Sequence, residues 1–278
     1  MAADAEAGDR HAHATRGLAA EYSARAGAYA RSWAPVIHPF ARRLLGALPL
    51  DSARRVLDLG CGTGELLADL GAAAPAACLV GADRAEGMVR LAAGSASYHL
   101  LVTDAQGLAL RAECIDVAIL AFMLFHVPDP ASALREVRRV LRPNAWVGIT
   151  AWGTDPGTPG AAIWTEELDA CGAEADPRDP AVMAHDRMNT PEKLAQLAGE
   201  AGFAPPRIWS ESHAHAWTLD GLCAMQATNG APSRRLAALP QDVRARCCER
   251  VRCRMAALPA GELVHHMEVL YAVARRPG

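Results

Sequence analysis

The stretch Val56-Leu57-Asp58-Leu59-Gly60-Cys61-Gly62-Thr63-Gly64-Glu65 decides the architecture. Its aliphatic start suits a buried strand. Glycine at every second position after that suits a loop that turns tightly and lets a ligand approach the backbone. A helix starting near Glu65 would then present unpaired amides to that ligand. The loop lacks the Gly-Lys-Ser/Thr of a Walker sequence. A dinucleotide fingerprint would put its third glycine where Glu65 stands, and a glutamate repels a pyrophosphate. A cofactor without phosphates fits better, one with a nucleoside end, a zwitterionic amino-acid end and a positive centre.

Outward from this loop, short apolar runs alternate with amphipathic ones, as in repeated βα units on a mainly parallel sheet. Strands are expected at Arg55–Leu59, Cys78–Ala82, His99–Thr103, Asp116–Ala121 and Trp146–Ala151, with helices at Glu65–Ala72, Ala85–Ala93 and Pro130–Leu141. The last helix has Asp129 as cap, Pro130 at its first position and Pro143 beyond its end. Gly153–Asn189 is rich in Gly, Pro and Asp and reads as an insertion holding a helix near Ala161–Cys171. A helix from a Thr190-Pro191-Glu192 cap to Gly202, a strand near Arg207–His215, an Arg-rich helical stretch Leu219–Leu258 and a strand Glu268–Ala274 complete the chain. Residues 1–17 are expected to be a disordered tail, 18–51 a helical lid broken at Pro35 and Pro39, and 52–278 the sheet domain with insertions 153–189 and 219–258.

The acids fall in the same register as the loop. Asp83 ends the second strand, where a carboxylate accepts from both hydroxyls of a ribose, and Asp104 ends the third, where one accepts from an adenine amine. With Asp58 they line one rim of the sheet, the place where open α/β sheets bind ligands. Their alternative use, as helix caps and turn formers, does not explain the glycine spacing.

Composition narrows the function classes. With 28 basic and 31 acidic residues the net charge is −3, too weak a field for a nucleic-acid or membrane-surface binder. Sixty of the 278 residues are alanine, so the hydrophobic content of 51% overstates the volume available to a core. Eight scattered cysteines suit free thiols in a reducing cytoplasm. No signal-like segment opens the chain, and no aliphatic run reaches the roughly 20 residues that span a bilayer.

The run VLDLGCGTGELL, the GADRAEGMVRLA segment, TDA at 103–105, FMLFHVPDP and LREVRRVLRPNAWVGITAW resemble class I S-adenosylmethionine-dependent methyltransferases, in their small-molecule branch of quinone and natural-product enzymes. The likeness covers about Val56–Trp152. It implies a Rossmann-like three-layer α/β sandwich on a seven-stranded sheet, with S-adenosylmethionine as cofactor and S-adenosylhomocysteine as product. It also implies that Gly60, Gly62 and Gly64 form the methionine-side loop and Asp83 holds the ribose, with Asp58 and Cys61 among the cofactor-binding residues. Arg84, Met88 and Phe122 would flank the cofactor, and Asp104 with the Ala105 amide would read the adenine edge. One departure is Pro143-Asn144-Ala145 where the family has Pro-Gly-Gly; Asn tolerates the left-handed backbone, so the turn should survive.

Methyl transfer needs mainly alignment and exclusion of water. His126, just past the fourth strand on the same rim, is either a base for a hydroxyl or carbon acid or a structural imidazole beside the Val127-Pro128 turn. Tyr22, Tyr29 and Trp33 share one helix face and form either packing or an acceptor-binding lid. His213 and His215 read as a solvated or pocket-lining strand face rather than a metal site, and no metal is expected. The Cys247, Cys248 and Cys253 group lacks zinc spacing. Seven arginines between Arg234 and Arg254 read as a solvated helix face, since no aromatic residue is interleaved to stack bases. The expected partner is a small-molecule acceptor, without nucleic acid or membrane, on a monomer or homodimer. Two rivals stand beside a methyltransferase: a protein using the same cofactor structurally, as cyclase or sensor, and a nicotinamide oxidoreductase, disfavoured by Glu65.

Overall fold

A computed structural model describes residues 2–94, 98–154 and 157–278. Two helices, α1 (Ala2–Ser32) and α2 (Ala34–Leu45), lead into β1 (Arg55–Leu59), α3 (Glu65–Ala73), β2 (Cys78–Asp83), α4 (Glu86–Ala92), β3 (His99–Val102) and β4 (Ile115–Ala121). Next come α5 (Pro130–Val140), β5 (Leu141–Trp152), α6 (Ala161–Ala170), α7 (Pro191–Glu200) and β6 (Arg207–Ala216). Helices α8 (Leu219–Thr228), α9 (Gly230–Ala237) and α10 (Gln241–Ala256) precede the last strand, β7 (Val264–Arg275).

The seven strands form one sheet in the order β3-β2-β1-β4-β5-β7-β6. The first five are parallel, and β7 runs antiparallel to both β5 and β6. β1 lies inside the sheet, between β2 and β4, because Val56, Leu57 and Leu59 have no polar face to offer water; all three are buried. Each such side chain contributes roughly 1.5–3 kcal/mol on burial. The chain crosses from one half of the sheet to the other between β1 and β4, so the carboxyl ends of these strands open onto the crevice where ligands bind in such sheets. Asp129 caps α5 by accepting from the Ser132 amide at 3.1 Å, and Asn144 adopts the left-handed backbone (φ 66°) in the turn inside β5.

Two expectations from the sequence need correction. Residues 2–17 lie in α1, not in a tail; Met1 is outside the described residues. Alanine-rich sequence favours helix, and Ala14 and Leu18 are buried with Val182, which ties the segment down. Pro39 does not break α2, because Val36, Phe40, Ala41, Leu44 and Leu45 bury one continuous face around it. Helices α6, α8, α9 and α10 share a second core built from Trp164, Leu168, Leu222, Met225, Val251 and Met255, so insertions 153–189 and 219–258 pack on each other.

Helix α1 lies close against α4. The Gly87 amide donates to the Ser23 hydroxyl at 3.1 Å, and a Cβ on Gly87 would stand 2.4 Å from the Ser23 carbonyl oxygen. Only glycine allows this approach. We expect Gly87→Val to lower stability by about 1–3 kcal/mol, the range for overpacking. Urea unfolding measures this; an unchanged midpoint would contradict the close contact.

Candidate functional site

The glycine loop folds back over β2: the Gly60 and Cys61 amides donate to the Ala82 carbonyl at 2.7 and 3.0 Å. Gly60, Gly62 and Gly64 all have positive φ, at 77°, 54° and 91°, a backbone that other L residues rarely adopt. Their open sides differ. A Cβ on Gly62 would meet nothing within 4 Å, whereas one on Gly64 would stand 2.9 Å from the Ala92 Cβ. Gly64 is therefore a packing position against α4, and the cavity is lined by Gly60 and Gly62.

Asp83 fixes the loop. One carboxylate oxygen accepts from the Gly62 amide at 2.9 Å and the other from the Ala85 amide at 2.8 Å, while the side chain lines the cavity. Burial still raises its pKa above the usual carboxylate range. Asp58 is more exposed to the same penalty although it is hidden from solvent. It is 1% exposed, and one of its oxygens has no hydrogen-bond partner among the described residues. Burial, reinforced by the like charges of Asp83 and Glu65, pushes its carboxyl up to about 7. Asp58 borders a smaller cavity with Cys61, and Gly60, Gly62, Tyr29 and Phe122 line both spaces. The Cys61 thiol is pushed up strongly by burial and by the neighbouring Asp58.

At the other end Met88, Arg84 and Ala105 line the cavity. Asp104 is half exposed and tied: it accepts from the Gln106 amide at 2.8 Å and from Arg84 at 3.0 Å. Thr103 and Ala105 on either side border the space and its carboxylate does not.

The opposite wall comes from the end of β4. Phe122 has φ 53°, a strained conformation for an aromatic residue. It is held because its amide donates to both the carbonyl and the hydroxyl of buried Thr150, each at 3.1 Å, and its ring lies 4.3 Å from that of Trp152. Four residues later His126 closes a short 3₁₀ turn, Leu124–His126. Its Nε2 lies 3.0 Å from the Tyr22 hydroxyl and its Nδ1 3.5 Å from the Val182 carbonyl. A carbonyl only accepts, so Nδ1 carries the proton and Nε2 accepts from Tyr22. Burial, helped by the Arg178 charge and by His185, holds His126 down at about 3. Burial also raises the Tyr22 and Tyr29 hydroxyls.

A second, larger cavity of about 480 Å³ adjoins the first. Tyr22, Tyr29, Phe122 and His126 line both, so they form the junction. Trp33 borders the larger space but not the first, and stands 6.4 Å from Trp217 and 6.2 Å from Trp152, ring to ring. His213 stacks on Phe40 at 4.2 Å and meets the Tyr271 hydroxyl at 3.2 Å, and His215 packs on Trp217. No group of three or more His, Cys, Asp or Glu among the described residues is placed to hold a metal.

Arg234 is not on a solvated helix face. It is 9% exposed, bridging Asp176 and Glu21. The Glu21, Asp176 and Arg178 side chains beside it were not read as site residues. Nothing in their local spacing marks them, since they come together only when α1 meets the insertions.

This geometry agrees with comparisons to known proteins. A model for a methyltransferase domain matches residues 57–149. An uncharacterized methyltransferase of Mycobacterium bovis is 33% identical over 184 residues, covering 66% of this chain and 69% of that protein. Nocamycin O-methyltransferase of Saccharothrix syringae is 28% identical over 222 residues, covering 74% and 79%. The chain spans about half, 48%, of a 37.1 kDa transposon protein of Streptomyces fradiae that is 32% identical over 170 residues. A putative methyltransferase of Bacillus halodurans superposes with a TM-score of 0.54 at 16% identity over 86% of this chain and 99% of that one. The chain belongs to the methyltransferase family. Its fold is the class I fold, whose cofactor is S-adenosylmethionine.

The buried His126 sets an acid limit. Folded, it binds a proton only near pH 3; unfolded, near 6.5, so the unfolded state takes up the proton first. Stability should be unaffected by this group above about pH 6.5 and fall as the pH drops from there towards 3. Urea midpoints compared at pH 7.5 and pH 5 should fall less for His126→Asn than for the unmodified protein; equal drops would contradict the neutral, buried assignment.

Proposed function

We propose that the chain moves a methyl group from S-adenosylmethionine to a small organic acceptor seated in the larger cavity, with the junction as the place of transfer. The observation that carries this reading is that one cavity is bounded by the glycine loop and Asp83, the other by aromatic side chains, and the two meet at His126. The residues fit the cofactor. Asp58 offers an unmatched buried carboxylate oxygen where an ammonium would sit, and Gly62 leaves room for the amino-acid end. When bound, the cofactor supplies a sulfonium methyl that leaves its sulfur as a neutral thioether.

In this reading Asp58, Gly60, Cys61 and Gly62 hold the amino-acid end, with Gly64 setting the packing behind them. Asp83 accepts from the ribose hydroxyls with the lone pairs that Gly62 and Ala85 leave free. Met88, Arg84 and Phe122 bound the adenosyl part; Ala105 offers its amide to the adenine edge, with Asp104 anchoring Arg84 there. Tyr22, Tyr29 and Trp33 from α1 and its end cover the acceptor and keep water out. His126 takes the acceptor's proton, directly or through Tyr22, because its Nε2 is unprotonated throughout the physiological range. The O-methyltransferase name of the Saccharothrix relative supports oxygen as the atom methylated. No helix among the described residues is long and apolar enough to cross a membrane. The eight unpaired thiols support a cytoplasmic setting.

Incubation with methyl-labelled cofactor and a panel of phenols, enols and carboxylic acids tests the reading. Label should appear in at least one acceptor; label in none would favour structural use of the cofactor. Asp83→Ala should weaken S-adenosylhomocysteine binding at least tenfold by calorimetry, and undiminished affinity would remove the ribose assignment. His126→Ala should lower kcat about a hundredfold, the lower end for a general base, with cofactor affinity within about twofold. Undiminished turnover would leave His126 a structural residue.

A further inference from the structure

One corner of the larger cavity is charged. Glu21 and Arg25 from α1, Asp176 and Arg178 from the segment before the Pro180–Val182 turn, and Arg234 from α9 meet there. Three guanidinium groups face two carboxylates, which leaves one positive charge. The pairing is uneven. Arg234 grips Asp176 with two nitrogens, at 2.6 and 2.5 Å, and reaches Glu21 with a third at 3.0 Å. Arg25 donates to Glu21 at 3.4 Å and to the Ser233 hydroxyl. The Arg178 amide donates to Asp176 at 3.1 Å, but among the described residues its guanidinium has one carboxylate within 4 Å, Glu21 at 3.8 Å and beyond hydrogen-bond reach, and its buried Nε has no partner there. Yet its side chain is only 11% exposed and lines the cavity.

A guanidinium taken out of water without a matched acceptor is costly, and its planar fork fits a two-oxygen anion. Of the remaining walls, Tyr29, Trp33, Phe122, Phe125 and Trp152 supply flat aromatic faces, with neutral polar side chains such as Thr158, Gln226 and Asn229 between them. We propose that Arg178 is the anion-binding residue of the acceptor site, and that the acceptor is an aromatic or otherwise flat apolar molecule bearing one anionic oxygen group, a carboxylate or an enolate. This inference rests on the reading of the larger cavity as the acceptor chamber. A monoanion matches the single excess charge; a phosphate dianion does not. Seating it has a second effect. After burial, the Arg178 charge is the largest influence keeping His126 unprotonated, so an anion on Arg178 strengthens His126 as a base.

The test uses the full chain saturated with S-adenosylhomocysteine and calorimetric titration with paired probes, benzoate against benzamide and 2-naphthoate against 2-naphthamide. The unmodified protein should bind at least one carboxylate tenfold or more tighter than its amide. Arg178→Gln should bring that ratio close to one with S-adenosylhomocysteine affinity unchanged, and Arg178→Lys should retain part of it. No carboxylate preference in the unmodified protein, which needs no variant to fold, overturns the proposal. So does a preference that survives in Arg178→Gln. Carboxylate selectivity without any S-adenosylhomocysteine binding supports the anion site and counts against the proposed function, so the two failures are told apart.

Discussion

A carboxylate buried on an interior strand of the sheet with one oxygen unmatched is the constraint around which this molecule is arranged. Asp58 stands on β1 opposite Gly81 of β2 and Ile119 of β4, with apolar strands on both sides. Its charge is disfavoured there by burial and by the like charges of Asp83 and Glu65. An arrangement of this kind is stabilised by a cation, and the glycine loop leaves the space for one beside it. The switch in strand order between β1 and β4 opens the crevice, the glycines let the backbone approach, and Asp83 ties loop to sheet through two amides.

The helical additions divide the remaining work. Helix α1 roofs the sheet edge because Ser23 and Gly87 let it lie close on α4, which brings Tyr22 and Tyr29 over the crevice. The lobe of α6, α8, α9 and α10 has its own core and so holds the far wall of the larger cavity in place. Between them Phe122, strained but clamped by Thr150, and His126, unprotonated and bonded to Tyr22, mark the boundary of the two spaces.

Much of the sheet half was legible in the residues. Alternating apolar runs located every strand of the parallel part to within a residue or two, except β5, which starts at Leu141 through a turn that Asn144 makes possible. The glycine spacing located the crevice, because backbone freedom at Gly60 and Gly62 is a local property. What escaped depends on contacts between distant segments. Residues 2–17 fold into α1 through Ala14 and Leu18 meeting Val182, and Pro39 is carried by a buried face that outweighs one lost hydrogen bond. Arg234 sits in a sequence that looks solvated, and only Glu21 and Asp176, more than fifty residues away, draw it inside. Asp104 and Gly64 were legible as positions at the rim, but their contacts with Arg84 and Ala92 are tertiary.

The claim at the centre of this account is that Asp58 receives the cofactor's ammonium group, and proton counting tests it most directly. The carboxyl, pushed up to about 7, is incompletely ionised in the free protein near neutral pH, and pairing with a cation should complete the ionisation. Titrating S-adenosylhomocysteine at pH 7 in buffers of different ionisation enthalpy should therefore show a net release of protons on binding, an exchange lost in Asp58→Asn. Binding with no proton release by the unmodified protein would contradict the assignment.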